Sequence, residues 1–420
     1  MPKNRRTPKP QATIGPDERR RQQYSQRQLV SALSRQVYDR DDPAPDELFA
    51  ELLAAEAELI GLEQGQEPGT GAPPGRIVDT SESGTAGHEV RGVGTTNLVA
   101  TADLRMAQVP TGVYHLFDRD SHPLVSFTVK NVSPNVRRLR LTSFIEGYSA
   151  RAVDTIELQP DETAELQHLP TLFHDRVADV RELTAASLNV MVEELRGEAE
   201  LHRSIPIRLL ARTYVPLSVR DASTNRWTDL SRYLGAFVTP NAPEIMNFLR
   251  TVADHHPLHR LVGYLGQTPE ENVDSQVEAV FEALREIGTT YVNSVIAFNP
   301  ENGTAGQRVR LPRESLASRQ ANCVDGTLLV ASLLEAMSMN PAIIVTPKHS
   351  FVGWERAEGT EKWDYLETTM IGGKRTYQEA RTAGDREAGL REPLATQNPQ
   401  QFRRWSMAEL RSKYGVTPLE

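Results

Sequence analysis

Asn322-Cys323-Val324-Asp325-Gly326-Thr327, continued by Leu328, Leu329, Ala331, Leu333 and Leu334, is the stretch on which the reading of this chain turns. Its apolar positions cover most of a helical surface, so the spacing predicts a buried helix. Cys323 falls at the N-terminus of that helix, where unpaired N–H groups and the positive dipole end favour a thiolate and can hold an oxyanion. Past Met339-Asn340-Pro341, Ala342 to Val345 reads as a buried strand. After Thr346-Pro347-Lys348 a second strand opens on His349 and runs His349-Ser350-Phe351-Val352-Gly353-Trp354. A polar turn at Glu358-Gly359 leads to a third, Trp363-Asp364-Tyr365-Leu366-Glu367-Thr368-Thr369, which carries two carboxylates.

A cysteine, a histidine and a carboxylate, in that order, are the groups that thiol nucleophilic catalysis needs. Imidazole stabilises the thiolate and later protonates the leaving group, and a carboxylate fixes the ring's tautomer and orientation. Each residue alone is ordinary: a lone cysteine on an apolar helix commonly packs as a small hydrophobe. The third member is either Glu367 or Asp364. In an antiparallel hairpin with its loop centred on residue 358, His349 lies directly opposite Glu367 and shares its face, while Asp364 points away. A one-residue change of register reverses this.

The order of these residues resembles the transglutaminase-like branch of the papain-like cysteine enzymes. That family shows a Gly-x-Cys-x-Asp helix start with a Leu-rich continuation, a strand opening His-Ala/Ser-Phe/Trp-Val and a closing Trp…Asp-Pro-Thr strand. This chain gives Ala321-Asn322-Cys323-Val324-Asp325, His349-Ser350-Phe351-Val352 and Trp363 with Leu366-Glu367-Thr368-Thr369. Ala321 stands where the family has Gly, Glu367 stands where Asp is common, and 26 positions separate Cys323 from His349. The resemblance spans roughly residues 240–375. It implies that Cys323 is the nucleophile, His349 the general base and acid, and Glu367 the orienting carboxylate. The oxyanion would take the Cys323 backbone N–H, with Gln320 as a second donor.

Outward from this core the pattern changes. Between about 95 and 218 apolar residues recur with period two, as in Val125, Phe127 and Val129 or Leu139 and Leu141. Further strands are predicted at Gly112–Phe117, Thr155–Leu158, Glu165–Leu169, Ala186–Val192 and Ile205–Val215, which together favour an antiparallel β-sandwich of immunoglobulin-like architecture. Helical periodicity returns after Asn241, where Ser275-Gln276-Val277-Glu278 has the form of a capping box and Gly288 ends the helix. His255, His256 and His259 lack a placed carboxylate partner for a metal, and no Asp-x-Asp-x-Asp-Gly calcium loop is present. The expected fold is multidomain α+β: an antiparallel β-sandwich, then a papain-like, transglutaminase-like core in which the Cys helix packs on an antiparallel sheet bearing His and carboxylate.

At the N-terminus, residues 1–40 carry ten Lys or Arg against three Asp or Glu, a local +7 in a chain whose net charge is −9. This reads as a basic, partly disordered arm over 1–44, with nucleic-acid contact through Arg19-Arg20-Arg21 as the rival reading. Over 45–94 a helix with Leu48, Leu52, Ala55 and Leu59 on one face, stopped at Gly61, leads into a Gly- and Pro-rich linker. The expected boundaries continue as a sandwich over 95–220, a catalytic domain over 231–376 and a C-terminal helical extension over 377–420, with amphipathic spacing at Phe402, Trp405, Met407 and Leu410. One cysteine in 420 residues excludes an intramolecular disulfide and a Cys-based zinc cage. No run of 18 apolar residues crosses a bilayer and the basic start lacks an apolar signal core, so a cytoplasmic, non-membrane protein is expected.

The function expected from these residues is cysteine-dependent acyl transfer on peptide or carboxamide bonds through a thioester, as a peptidase or amidase rather than a protein cross-linker. A protein or peptide is the expected substrate, the β-sandwich a surface for a protein partner, and no cofactor or metal is called for. The alternative is a catalytically inactive transglutaminase-like scaffold, which an unreactive Cys323 would reveal.

Overall fold

The computed structural model describes residues 16–38, 44–64, 89–90, 97–195, 199–220, 227–266, 268, 271–292 and 304–419. The chain divides into two compact units, residues 1–78 and 79–420.

In the first unit, helices α1 (Pro16–Tyr38) and α2 (Asp46–Gln64) form a hairpin. Val30, Leu33 and Val37 of α1, at helical spacing, are buried with Phe49, Leu52, Ala55 and Leu59 of α2 in one cluster. The buried Gln26 amide donates to the Ala55 carbonyl at 3.0 Å. A basic, partly disordered arm was the expectation for residues 1–44, and over Pro16–Tyr38 the chain is helical. The apolar stripe suffices once α2 covers it, although the composition around it is basic. Helix α2 also continues through Gly61, which has open space around its Cα, to Gln64. Most of the expected linker, at 65–88 and 91–96, and residues 1–15 lie outside the described residues.

The second unit is α+β. Strands β1 (Glu89–Val90), β2 (Leu98–Leu104), β4 (Val125–Asn131) and β7 (Thr163–His168) form one antiparallel sheet, in the order β1-β2-β4-β7. A second sheet, ordered β3-β9-β8-β5-β6, holds β3 (Gln108–Pro110), β5 (Arg137–Ile145), β6 (Ala152–Leu158), β8 (Thr184–Glu194) and β9 (Ala199–Leu210). It is antiparallel apart from the β3–β9 pair. Inward side chains of both sheets, among them Ala100, Phe127, Val129, Leu139, Val190 and Leu209, share one core. This is what period-two alternation produces when each sheet buries one face.

Two expectations fail here. Gly112–Phe117 is not a strand: Tyr114–Leu116 makes a 3-10 turn, and the Gly112 Cα sits against the Arg212 carbonyl too closely for a side chain. Ile205–Val215 is two strands, because the chain turns at Ala211–Tyr214, where the Tyr214 N–H donates to the Ala211 carbonyl at 2.8 Å. Helix α3 (His174–Val177) lies between β7 and β8. Strand β10 (Tyr214–Arg220) leaves the facing sheets and pairs with β11 (Trp227–Asp229) and β13 (Thr304–Arg308). The two-sheet layer therefore ends at Leu210 rather than 220.

The remaining elements enclose a helix, α7 (Cys323–Ala336), in which every residue from Val324 to Leu334 is buried. Around it lie α4 (Pro243–His255), α5 (Val273–Glu286) and α6 (Pro312–Ser318), with β12 (Thr290–Tyr291) and β14 (Gln320–Ala321) paired in parallel. The cap of α5 is Asn272, whose side chain accepts the Ser275 N–H, so Ser275 is the third helical residue and not the cap. An antiparallel sheet, β17-β16-β15-β18, packs against α7; it consists of β15 (Pro341–Val345), β16 (Ser350–Glu355), β17 (Trp363–Leu366) and β18 (Arg403–Ser406).

Residues 377–420 are thus no appended extension. Helix α8 (Tyr377–Arg391) covers the edge of β17, and β18 completes the sheet beside β15. Asp385 of α8 accepts the Tyr365 N–H at 3.0 Å, which occupies a free edge donor. At Gly384 a Cβ would meet the Leu366 nitrogen and the Tyr365 carbonyl carbon at 2.8 Å, so only glycine lets α8 come this close to β17. Helix α9 (Met407–Ser412) follows β18, and its Arg411 pairs with Glu335 of α7 at 3.0 Å.

Candidate active site

Cys323 occupies the first position of α7. The cap beneath it is reciprocal: Asn322 accepts the Asp325 N–H at 2.8 Å and Asp325 accepts the Asn322 N–H at 3.3 Å. Asp325 is buried and also pairs with Arg310 at 2.8 Å, tying this turn to the segment before α6. Cys323 itself is half-buried. Its backbone N–H, one of the donors that a helix start leaves without an internal acceptor, has no partner among the described residues.

His349 sits just before β16, where Thr346 closes the loop by donating its N–H and its hydroxyl to the His349 carbonyl at 2.9 and 3.1 Å. The ring is buried. Its Nε2 lies 2.7 Å from Glu367 Oε2. The other Glu367 oxygen accepts the Thr369 N–H at 2.9 Å and the Thr369 hydroxyl at 2.6 Å, and the Glu367 N–H donates to the Ala380 carbonyl of α8 at 3.0 Å. The Cys323 side chain lies close enough to the ring to favour its protonated form. With Nε2 engaged by Glu367, Nδ1 is the nitrogen left for sulfur.

The hairpin that achieves this is centred near 359, not 358: Val352 pairs with Leu366 and Trp354 with Asp364. His349 and Glu367 are therefore diagonal neighbours rather than direct partners. Because that offset is two residues in the pairing, both side chains stay on one face. The third strand also ends at Leu366, and Glu367 caps a short 3-10 turn over Thr368–Met370. Asp364 faces the other way and is held by Arg356 at 2.6 Å and Arg381 at 2.8 Å. Gln320 is exposed on β14, and no hydrogen bond among the described residues joins it to Cys323. His255 is drawn to Glu286 at 2.6 Å and His256 to Ser275 at 3.4 Å, so these histidines do not converge on a common point.

The sequence reading missed Glu387 of α8. Its carboxylate lies with the His349 and Glu367 ligand atoms in a buried group no wider than 4.8 Å, the one such cluster of potential metal ligands among the described residues. Arg391, fully buried one turn later, donates to Glu387 at 2.9 Å and to Gln401 at 3.3 Å. The guanidinium balances the charge of the buried Glu387. The signal available in the sequence was the Glu-x-x-x-Arg spacing at 387 and 391, which a solvated helix face shows just as often.

The electrostatics follow. Burial works against a charged ring, but the Glu367 and Glu387 carboxylates, the Cys323 side chain and the hydrogen bond with Glu367 outweigh it and hold His349 well above the usual histidine value. Burial also opposes charge on Glu367, yet His349 and the Thr369 hydrogen bonds hold it below the usual carboxylate value. The arrangement is a buried imidazolium–carboxylate pair beside a thiol. Removing Arg391 would strand Glu387 next to Glu367, so Arg391→Leu is expected to lower stability in urea denaturation by about 3–5 kcal/mol. A loss of less than about 1 kcal/mol, the scale of an exposed pair, would show that these charges are not desolvated.

No family model matches this chain, and no curated protein matches it. Among solved structures, that of a FixG-related protein from Vibrio parahaemolyticus is similar over 28% of this chain and 97% of its own, at 13% identity and a TM-score of 0.18. Native alpha-2-macroglobulin from Escherichia coli, from domain MG7 to the C-terminus, is similar over 58% of this chain and 41% of its own, at 10% identity and a TM-score of 0.20. Likenesses at these scores carry no argument about fold or activity. Among the described residues no helix is long and apolar enough to cross a membrane.

Proposed function

We propose that this chain is a cysteine-dependent acyl-transfer enzyme with a transglutaminase-like core behind an immunoglobulin-like sandwich, acting on peptide or carboxamide bonds as a peptidase or amidase. The observation that carries the reading is the buried His349, bound to Glu367 through Nε2 at 2.7 Å, with its protonated form favoured by the Cys323 thiol at the start of α7. The Cys323 sulfur adds to the carbonyl carbon, and the oxyanion forms beside the Cys323 N–H. His349 gives its Nδ1 proton to the departing amine as the C–N bond breaks, which leaves a thioester. Water then attacks the thioester carbonyl, returns a proton to His349 and releases the acid with the Cys323 thiolate. Glu367 keeps the ring in the tautomer and orientation that both proton transfers need.

Intact-mass spectrometry of acid-quenched mixtures with peptidyl p-nitroanilides and peptide carboxamides tests this. The expected adduct has the mass of the acyl group, resides on Cys323, is cleaved by neutral hydroxylamine and is absent from Cys323→Ala. If neither adduct nor released amine appears with any of these substrates, and added amines are not acylated, the core is an inert scaffold.

A further inference from the structure

Six arginines gather between the facing sheets and the elements around α7, in hollows that Asp325 of the cap beneath Cys323 also lines. Arg181, Arg212, Arg308, Arg310 and Arg313 line a cleft of about 850 Å³. A second hollow of about 630 Å³, which includes Arg119, shares His174, Arg212 and Leu419 with it. The carboxylates in the linings are Glu314 and Asp325, and Glu182 pairs with Arg308 and Asp154 with Arg119 beside them, so the trough is an arginine-rich, partly ion-paired patch on a chain whose net charge is −9. A positive trough on an acidic protein attracts anions over its whole length.

We propose that this trough binds an extended acidic peptide segment. Several arginines are already held in place: Arg308 by Glu182 at 2.8 Å and by the Arg181 carbonyl at 2.8 Å, Arg310 by Asp325 at 2.8 Å, and Arg212 by the Leu419 carbonyl at 3.0 Å. Guanidinium forks fixed in this way meet carboxylates with little further loss of side-chain freedom. Two neighbouring hollows that share His174, Arg212 and Leu419 offer more sites than a compact phosphate would fill. The second adds apolar wall from Leu169, Leu172 and Val177, which matches a peptide with apolar residues among its acidic ones. Nucleic acid fits less well, since its bases need an open aromatic face. Phe117, which lines the second hollow, is already stacked on His122 at 4.6 Å.

Fluorescence anisotropy with a hexaglutamate peptide carrying a neutral dye tests the proposal, using the full chain with Cys323→Ala so that binding is read without any reaction. Hexaglutamate is expected to bind where hexaglutamine does not, and binding should weaken as salt is raised. Arg181→Glu and Arg308→Gln should each weaken it roughly tenfold, the scale of one charged hydrogen bond, with unchanged circular dichroism. Three results would overturn the proposal: no hexaglutamate binding at low salt, binding that neither variant weakens, or arginine-dependent binding of pyrophosphate or hexathymidylate tighter than that of the peptide. Because Cys323 is absent from the assay, the outcome is separate from the fate of the acyl-transfer reading.

Discussion

His349→Ala is expected to slow alkylation of Cys323 by iodoacetamide at pH 6 by roughly a hundredfold, since it removes the cation that would stabilise the reactive thiolate. The cation that makes the difference is the buried His349, held protonated by Glu367 and Glu387 against the cost of its burial. Near pH 9, where an isolated thiol ionises unaided, the two proteins should react at similar rates. Rates within twofold of each other at pH 6 would show that sulfur and imidazole do not share a proton, and the enzymatic reading would fall with them. The same pair leaves a mark on stability. His349 binds its proton more tightly in the folded chain, so its contribution is complete below the usual value of 6.5 and is lost as pH rises through the raised one. Glu367 is the reverse case: its contribution is complete above the usual 4.5 and is lost as pH falls through the lowered value. Both are present together between pH 4.5 and 6.5, so the gap in Tm between the native chain and His349→Ala should be widest there.

The parts of the site that lie close together in sequence were the legible ones. A helix start, a strand start and a strand end follow one another between Cys323 and Glu367, and local periodicity is enough to place each. The pairing of β16 with β17 was misplaced by two residues in its partner positions, an error that side-chain alternation forgives; an error of one would have exchanged Glu367 for Asp364. Glu387 and Arg391 were out of reach for a different reason. They arrive from α8, on a stretch rich in charge that reads as solvated, and are buried because Gly384 lets that helix lie on β17. Strand β18 was likewise hidden, since Arg403 and Arg404 surround its apolar content and pairing with β15 is a long-range event. The arginine trough draws on separate segments, none of which carries a motif.

Glu367→Gln is expected to lower kcat/KM for acyl transfer by roughly 10²- to 10⁴-fold, the range over which loss of a triad carboxylate acts through the histidine. An amide preserves the shape and can still bond Thr369, but it removes the charge 2.7 Å from Nε2 and no longer fixes which ring nitrogen carries the proton. Asp364→Asn is the matched control. Asp364 serves Arg356 and Arg381 on the opposite face, so its loss should appear in the melting temperature and leave kcat/KM within about threefold. The alkylation rate separates position from packing: Glu367→Gln should slow Cys323 alkylation at pH 6, whereas Asp364→Asn should leave it unchanged. The opposite pattern would assign the orienting role to Asp364, and with it a register of the hairpin shifted by one residue, in which His349 and Asp364 share a face.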